Sequence, residues 1–288
     1  MNIALFADVH GRILLCFKLC ARWQQETGQQ IDIILQAGDL GVFPGMSSLD
    51  KATKRHAVDD PTELGFMQDF AIYREEVANQ LQQTHCPLIF VRGNHEDQHY
   101  LDEKEQASSS PLFSVDAYQR IWCLRSGVPY TFSVREESVT ILGIGRIGAP
   151  QGEKDEQQSK YIQAYERRRL AQLSLAPSTL DIVLSHDAPR GYIFPDAGIA
   201  EIGPVLERAQ PHYHFFGHYD HLRLFKSHPN QVTTICKLAD LCWDRAAGNG
   251  LVPGSFAILS WHSPLDHSLE IISAPWLHEY RSSTWKWL

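Results

Sequence analysis

The stretch IALFADVHG, residues 3–11, begins with an apolar run and ends on a carboxylate and an imidazole. A short apolar run that stops at polar and glycine residues is typical of a buried strand that leads into a loop. Asp8 and His10 are two residues apart, so both side chains leave the end of this strand towards the same side. Such a pair can hold one cation. The opening of the chain therefore predicts a strand that brings metal ligands to the edge of a sheet.

The same pattern recurs after the next apolar run, Ile31–Gln36, where residues 38–41 read GDLG. Asp39 is placed at a second strand end, and the flanking glycines allow the backbone to come close to an ion. A carboxylate has two oxygens, so Asp39 is able to bridge two metal ions.

Three more strand ends carry ligand-type residues. The run Leu88–Arg92 is followed by Asn94, a neutral oxygen donor, and by His95, which need not itself be a ligand. Later apolar runs lead to His186 and His218. Each residue alone has an ordinary explanation as loop polarity or a turn former. Five such sites, each at the end of an apolar run, are better explained as one metal-binding constellation.

The wider pattern predicts a layered α/β protein, because strand-like and helix-like segments alternate through most of the chain. The predicted strands are Ile3–Ala7, Ile31–Gln36, Leu88–Arg92, Val139–Ile144, Ile182–Ser185 and Tyr213–Phe216, and the predicted helices are Leu14–Glu26, Leu64–Gln83, Ser159–Leu173 and Ile202–Ala209. Three C-terminal runs without an intervening helix, Val232–Ile235, Ser255–Trp261 and Leu269–Ile272, suggest a second sheet. We expect one domain over residues 1–274, with residues 42–61 as a loop or small cap and residues 275–288 as a docking tail.

Composition limits the possible function classes. The chain has 288 residues, 43% of them hydrophobic and 21% charged, which suits a globular protein with a sizeable core. A net charge of −8 gives no global attraction to nucleic acid or anionic lipid. No signal peptide or membrane-spanning stretch is recognised, and the six cysteines lack the spacing of a zinc site or a disulfide framework. These features favour a cytoplasmic protein with reduced thiols.

Together the motifs resemble the calcineurin-like metallophosphoesterases, whose pattern is D-x-H, then G-D, then G-N-H-E or G-N-H-D, a lone His, and G-H-x-H. The resemblance covers about residues 3 to 260. It implies an α/β fold of the four-layer α-β-β-α type, with two mixed β-sheets flanked by helices. It also implies a phosphoric ester hydrolase with two divalent metal ions, and manganese, iron, zinc and nickel all suit its ligands.

The resemblance gives each matched residue a role. The implied metal ligands are Asp8, His10, Asp39, Asn94, His186 and His218, completed by the last residue of the final motif. Asp39 would bridge the two ions, and His95 would contact the phosphate and help to protonate the leaving group. The ions would make hydroxide available near neutral pH for in-line attack, without a phosphoenzyme.

The final motif departs from the family pattern, because the chain reads GHYDH at residues 217–221 where the family has G-H-x-H. An ungapped alignment makes Asp220 the last ligand, whereas a loop longer by one residue makes it His221. We favour His221, which restores the nitrogen donor; Asp220 would favour a harder ion.

The substrate is less strongly indicated than the reaction. The V-D-R-G motif of protein phosphatases is missing after Asp39, and residues 93–101 and 181–190 resemble the lariat-debranching RNA phosphodiesterases. Debranching enzymes commonly have Cys where this chain has His10, so the resemblance is to the wider branch. A nucleotide, RNA or DNA phosphodiester is the expected substrate, and a phosphomonoester is the other possibility.

Arginines supply the last candidates. Arg190, and with less support Arg146, are candidates for a phosphate contact, since a guanidinium binds phosphate in bidentate geometry; a surface or salt-bridge role is the alternative. The run 167–169, three arginines, fits a solvated helix face better than a nucleic-acid site. The competing function is a catalytically quiet interaction platform, which would be expected to have lost ligands. A closed structural zinc site is disfavoured by Asn94.

Overall fold

The computed structural model describes residues 1–150, 158–175, 179–219, 224–244 and 248–288. Two β-sheets lie face to face, and helices cover the outer face of each sheet. The predicted four-layer α-β-β-α sandwich of two mixed sheets is therefore confirmed. Asp220 and His221 fall outside the described residues.

The first sheet has seven strands in the order β15-β14-β1-β2-β3-β5-β4. Their bounds are β1 Asn2–Phe6, β2 Ile33–Gln36, β3 Leu88–Phe90, β4 Leu112–Ser114, β5 Ile121–Leu124, β14 Ala257–Ser263 and β15 Asp266–Ile271. Strands β1, β2, β3 and β5 run parallel, so their carboxyl ends lie along one edge of the sheet.

The second sheet has six strands in the order β10-β11-β9-β8-β7-β6. Their bounds are β6 Pro129–Val134, β7 Glu137–Ile144, β8 Ile182–Ser185, β9 Tyr213–Phe216, β10 Leu224–Ser227 and β11 Thr234–Lys237. Strands β7, β8, β9 and β11 are parallel. A two-stranded ribbon, β12 Trp243–Asp244 and β13 Gly250–Leu251, follows the second sheet.

Successive side chains along the strands belong to different hydrophobic layers. On β1, Ile3 and Leu5 point into the core between the sheets, while Ala4 and Phe6 face the helices. The two-residue period of a strand produces this division, because successive side chains leave opposite faces. Because the sheet is covered on both sides, its strands need apolar side chains on both faces.

The described part of the chain contains six α-helices: α1 Ile13–Thr27, α2 Lys51–Asp59, α3 Glu75–Leu81, α4 Gln98–Gln106, α5 Ala164–Leu175 and α6 Ile202–Ala209. Residues of α1, α3 and α4 pack on the first sheet, and residues of α5 and α6 pack on the second. Helix α2 lies in the segment predicted as a loop or small cap. It begins at Lys51 because the Asp50 carboxylate accepts a hydrogen bond from the Thr53 amide, 2.7 Å away.

Two sequence predictions of structure are wrong. The helix expected over Leu64–Gln83 is broken into a short turn at Pro61–Leu64, a π-helical turn at Phe66–Phe70, and α3. Its middle peptides pair elsewhere: Phe70 O accepts from the Ala117 amide, and the Arg74 amide donates to Tyr118 Oη.

The C-terminal strands do not form a second sheet of their own. Strand β14 pairs with β1 and therefore extends the first sheet, whereas β11 pairs with β9 in the second. Helix α4 and strands β4, β5, β6 and β10 were not predicted, because they are short and only weakly periodic.

The C-terminal segment after residue 274 is packed against the helical layer of the first sheet. Trp276, Tyr280 and Trp285 are buried there, and Lys18 Nζ donates to the carbonyl oxygens of Lys286 and Leu288 at 3.1 and 2.7 Å. Within the described part of the chain, no helix combines the length and the apolar character needed to span a bilayer.

Candidate metal centre

One cleft lies where the carboxyl ends of the strands of both sheets meet, and its volume is about 880 Å³. Asp8, Asp39 and Asn94 follow β1, β2 and β3, and His186 and His218 follow β8 and β9. The described residues that line the cleft are Asp8, His10, Asp39, Ala52, Thr53, His56, Glu63, Asn94, His95, Phe194, His218, Tyr219 and Asp240. The structure thus brings together the residues that the sequence placed at separate strand ends.

Asp39 lies at the centre of this group. Its Oδ2 atom is 3.4 Å from His186 Nε2 and 3.9 Å from His10 Nε2, and its Oδ1 atom accepts a hydrogen bond from the His95 amide at 2.7 Å. Asn94 Oδ1 is 3.0 Å from His186 Nε2. A single carboxylate therefore faces histidines that come from both sheets.

Among the residues that the structure describes, two groups of candidate ligand atoms are compact enough to hold a metal ion. Asp8, His10 and Asp39 form one group, and Asp39, His186 and His218 form the other; within each, one ligand atom per residue lies within 4.8 Å of the others. Asp39 belongs to both groups. The donor set of carboxylate oxygens and imidazole nitrogens fits divalent transition ions.

The backbone at the ligands adopts an unusual conformation. Asp8, His10, Asp39 and His218 have positive φ angles of 48°, 46°, 52° and 72°. Non-glycine residues rarely occupy this left-handed region, and when they do, they cluster at functional sites. Hydrogen bonds between the first two motif loops hold the geometry, for example from the His10 amide to the Asp39 carbonyl oxygen at 2.8 Å.

Two glycines leave room for the ligands. A Cβ atom on Gly93 would lie 2.0 Å from Asp39 Oδ1, and a Cβ atom on Gly217 would lie 2.5 Å from Asp8 Oδ2. No side chain can occupy either space while the carboxylates stay in place. Glycine is therefore needed at the start of GNHE and of GHYDH, because a side chain there would collide with Asp39 or Asp8.

Burial shifts the pKa of three of the candidate ligands. It raises the pKa of Asp8 to about 7 and lowers the pKa of His10 and of His218 to about 4. Both of these imidazoles are therefore neutral at neutral pH, which is the form that binds a metal ion. A bound cation would favour the ionised form of Asp8.

His95 has a partner that the sequence analysis missed. Asp50, the residue that caps α2, places its Oδ2 atom 2.7 Å from His95 Nδ1. Burial alone would lower the pKa of His95, but the hydrogen bond with Asp50 and the charges of Asp39 and Asp50 outweigh it and raise the pKa to about 9. The sequence placed Asp50 in a loop or small cap, so neither its capping of α2 nor its contact with His95 was predicted.

Lys237 was also missed, since it ends an apolar strand without a recognisable motif. Its side chain is fully buried, with Nζ 3.9 Å from Asp8 Oδ2 and 3.3 Å from Asp240 Oδ1. Glu96, the last residue of GNHE, is buried as well and accepts hydrogen bonds from the Leu40 and Val42 amides at 2.8 and 2.6 Å. It thereby fixes the loop that carries Asp39.

The predicted arginines lie away from the cleft lining. Arg146 is 1% exposed and pairs with Asp102 and Glu166 at 2.8 and 3.1 Å, so the salt-bridge alternative describes it. Arg190 is exposed and donates to the Ala149 carbonyl oxygen at 3.1 Å. Its contact with substrate stays a prediction.

Comparison with known proteins assigns the family. The model of the calcineurin-like phosphoesterase family matches residues 1–220 of the 288-residue chain. This chain belongs to the calcineurin-like phosphoesterase family. Members typically bind divalent metal ions, and this calcineurin-like phosphoesterase has the two ligand groups described above. No curated protein sequence matches the chain.

Several solved structures are similar to this calcineurin-like phosphoesterase at low sequence identity. The protein TT1561 of Thermus thermophilus is 14% identical, with 94% of this chain and 98% of that chain covered and a TM-score of 0.48. GAP50, the anchor in the inner membrane complex of Plasmodium, is 10% identical, with 95% and 89% covered and a TM-score of 0.49. A 5′-nucleotidase from Candida albicans is 12% identical, with 90% and 46% covered and a TM-score of 0.44. These similarities carry no argument about substrate.

Proposed function

We propose that the chain is a metal-dependent phosphodiesterase that uses two divalent ions and acts on a nucleotide or nucleic-acid phosphodiester. The observation that carries the proposal is the sharing of Asp39 by two compact ligand groups. Asp8, His10 and Asp39 would hold one ion. Asp39, His186 and His218 would hold the other, with Asn94 beside them. The bound ions would activate water and polarise the phosphoryl oxygens.

The charge of the cleft supports a need for cations. Acidic side chains of Asp8, Asp39, Glu63 and Asp240 line it and outnumber the protonated ring of His95, and among the described lining residues there is neither lysine nor arginine. A phosphate ester would meet electrostatic repulsion in such a cleft. Divalent ions on the ligand groups would reverse the sign of the local potential, which makes phosphate binding favourable.

His95 is the residue we assign to the leaving group. Its ring lies in the cleft, 5.5 Å from the ring of His10 between centroids, and Asp50 holds its Nδ1 atom. With Nδ1 fixed, Nε2 is the nitrogen left to face a substrate. Protonated His95 would donate to the departing oxygen and so avoid the release of an unstable alkoxide.

The cleft is larger than a phosphate group needs. A volume of about 880 Å³ falls in the range of sites for small organic ligands, so groups on both sides of a phosphodiester have space. The competing function, a quiet interaction platform, would not require the six candidate ligands Asp8, His10, Asp39, Asn94, His186 and His218 that the described residues retain.

Hydrolysis of bis(p-nitrophenyl) phosphate with added manganese tests the proposal. We expect wild-type turnover that requires the metal and falls at least about 100-fold in Asp39→Ala and in His186→Ala. His267→Ala is the matched control, because His267 lies on β15 and is not among the cleft-lining residues. Turnover that survives both substitutions would refute the assignment, and absence of turnover with any divalent metal would favour the platform.

A further inference from the structure

We propose that Phe194 and Tyr219 form a stacking site for a nucleobase next to the phosphate position, an inference that rests on the proposed function. Both rings line the cleft of the metal centre. They also line a neighbouring cavity of about 530 Å³, which shares with the cleft only Phe194, His218 and Tyr219 among the described residues. The two rings therefore lie at the point where the two spaces join.

Tyr219 is held in a fixed position. Its hydroxyl donates to Asp187 Oδ1 at 2.6 Å, and the buried Asp187 carboxylate also accepts from the Gly148 and Ala188 amides at 2.9 and 2.8 Å. The ring centroid of Tyr219 is 5.1 Å from that of His218, a candidate metal ligand. A ring stacked here would be a near neighbour of a phosphate bound at the centre.

Phe194 offers the open face. It is 59% exposed, and its ring centroid is 5.8 Å from that of Tyr219 at an interplanar angle of 55°. The two rings are tilted and not stacked on each other, and more than half of the surface of Phe194 stays exposed. An apolar ring of this size exposed inside a polar cleft is expected where a flat apolar group of a ligand binds.

The segment that carries Phe194 is anchored at both ends. The Arg190 amide donates to the Ile199 carbonyl oxygen at 3.1 Å, and the Gly191 amide donates to that of Ala197 at 2.9 Å. The ring of Tyr192 is covered by Lys226 Nζ at 4.0 Å from its centroid. These contacts place Phe194 at the tip of a supported loop, so little ordering is needed when a ligand binds.

A nucleobase fits these features better than other groups attached to a phosphate. It is flat, and each of its π faces can stack on an aromatic side chain in a manner that tolerates different bases. The adjoining cavity has room for the nucleoside, with Lys160 and Asp196 among its polar lining residues. The site would thus bind a nucleoside without distinguishing between the different bases.

Two diesters with the same leaving group test this inference. Thymidine 5′-(p-nitrophenyl phosphate) carries a base, methyl p-nitrophenyl phosphate does not, and both release p-nitrophenolate. Loss of a base stack corresponds to about 5- to 150-fold in binding. We expect Phe194→Ala to lower kcat/KM for the thymidine ester by roughly 10-fold or more and for the methyl ester by less than about 2-fold. Phe194→Trp should retain the preference.

The control is Phe225→Ala, since Phe225 is 61% exposed on β10 and lines neither cavity. It should leave both esters unchanged. An equal effect of Phe194→Ala on the two esters would overturn the stacking site.

If the wild type hydrolyses neither ester, the proposed function fails, and calorimetry then decides the stacking site separately. Thymidine 5′-monophosphate and 2-deoxyribose 5-phosphate would be titrated into wild type and Phe194→Ala with manganese present. Weaker binding of the nucleotide alone in the variant supports the site; equal binding by both proteins overturns it.

Discussion

Replacing Asp50 by Asn should slow the departure of a basic leaving group while the fold is retained. Asp50 has two contacts: it caps α2 through the Thr53 amide, and it holds His95 Nδ1 at 2.7 Å. Asparagine is as good a helix cap as aspartate, so the first contact survives and only the charged partner of His95 is lost.

The size of the effect follows from this contact. A hydrogen bond to a charged group contributes about 1.5–3 kcal/mol. The two side chains are 28% and 32% exposed, so solvent screening places the effect in the lower part of that range. A loss of about 1.5–2 kcal/mol in the transition state corresponds to a decrease in kcat of roughly 10- to 30-fold.

The assay compares methyl phenyl phosphate with methyl p-nitrophenyl phosphate. Phenolate is the more basic leaving group and needs the proton more, so Asp50→Asn should reduce kcat for the phenyl ester by the full factor and for the p-nitrophenyl ester by less than about 3-fold. Asp59→Asn is the control, since Asp59 is an exposed carboxylate at the end of the same helix. Equal decreases for the two esters, or none, would refute the reasoning about His95.

Three further substitutions have defined outcomes. Gly93→Ala should lower activity by at least about 100-fold and reduce the metal content measured by mass spectrometry, because its Cβ atom would displace the Asp39 carboxylate. Gly250→Ala, with no atom within 4 Å of its added Cβ, should change neither quantity, and normal metal content in Gly93→Ala would contradict this reasoning. Trp285→Ala should lower the Tm by roughly 5–10 °C, since its side chain is only 3% exposed in the core that the C-terminal segment helps to form. Trp287→Ala should change the Tm little, because Trp287 is 87% exposed. Similar decreases in Tm for the two variants would argue against a packed C-terminal segment. Lys237→Met removes the ammonium group next to the carboxylates of Asp8 and Asp240, so the Tm should fall in chelator and recover with manganese. A decrease of the same size in both conditions would contradict a shared electrostatic role of Lys237 and the metal.

The sequence predicted the layers and the positions of most candidate ligands because these depend on local patterns. The run before Asp8 predicts a strand from its apolar residues alone, and its carboxyl end places Asp8 and His10 without any knowledge of the partner strands. The parallel order of β1, β2 and β3 then brings Asp39 and Asn94 to the same edge. Local pattern and topology agree here, so these side chains lie at one edge as predicted, and their role as metal ligands stays a prediction.

Contacts between residues that are distant in the sequence could not be predicted from local patterns. Asp50 reaches His95 across 45 residues of sequence, and Lys237 approaches Asp8 only because β11 pairs with β9 in the second sheet. The pairing of β14 with β1 was not predictable either, because neither segment alone carries a sequence pattern that identifies its partner strand. Side-chain chemistry shows what a residue is able to do, whereas its partner is decided by tertiary structure.

The most direct test of the proposed dinuclear centre is an anomalous-scattering map of crystals soaked in manganese. The account predicts two peaks in the cleft, one on each side of the Asp39 carboxylate, the first next to Asp8 and His10 and the second next to His186 and His218. A single peak, or peaks that do not contact Asp39, would contradict it.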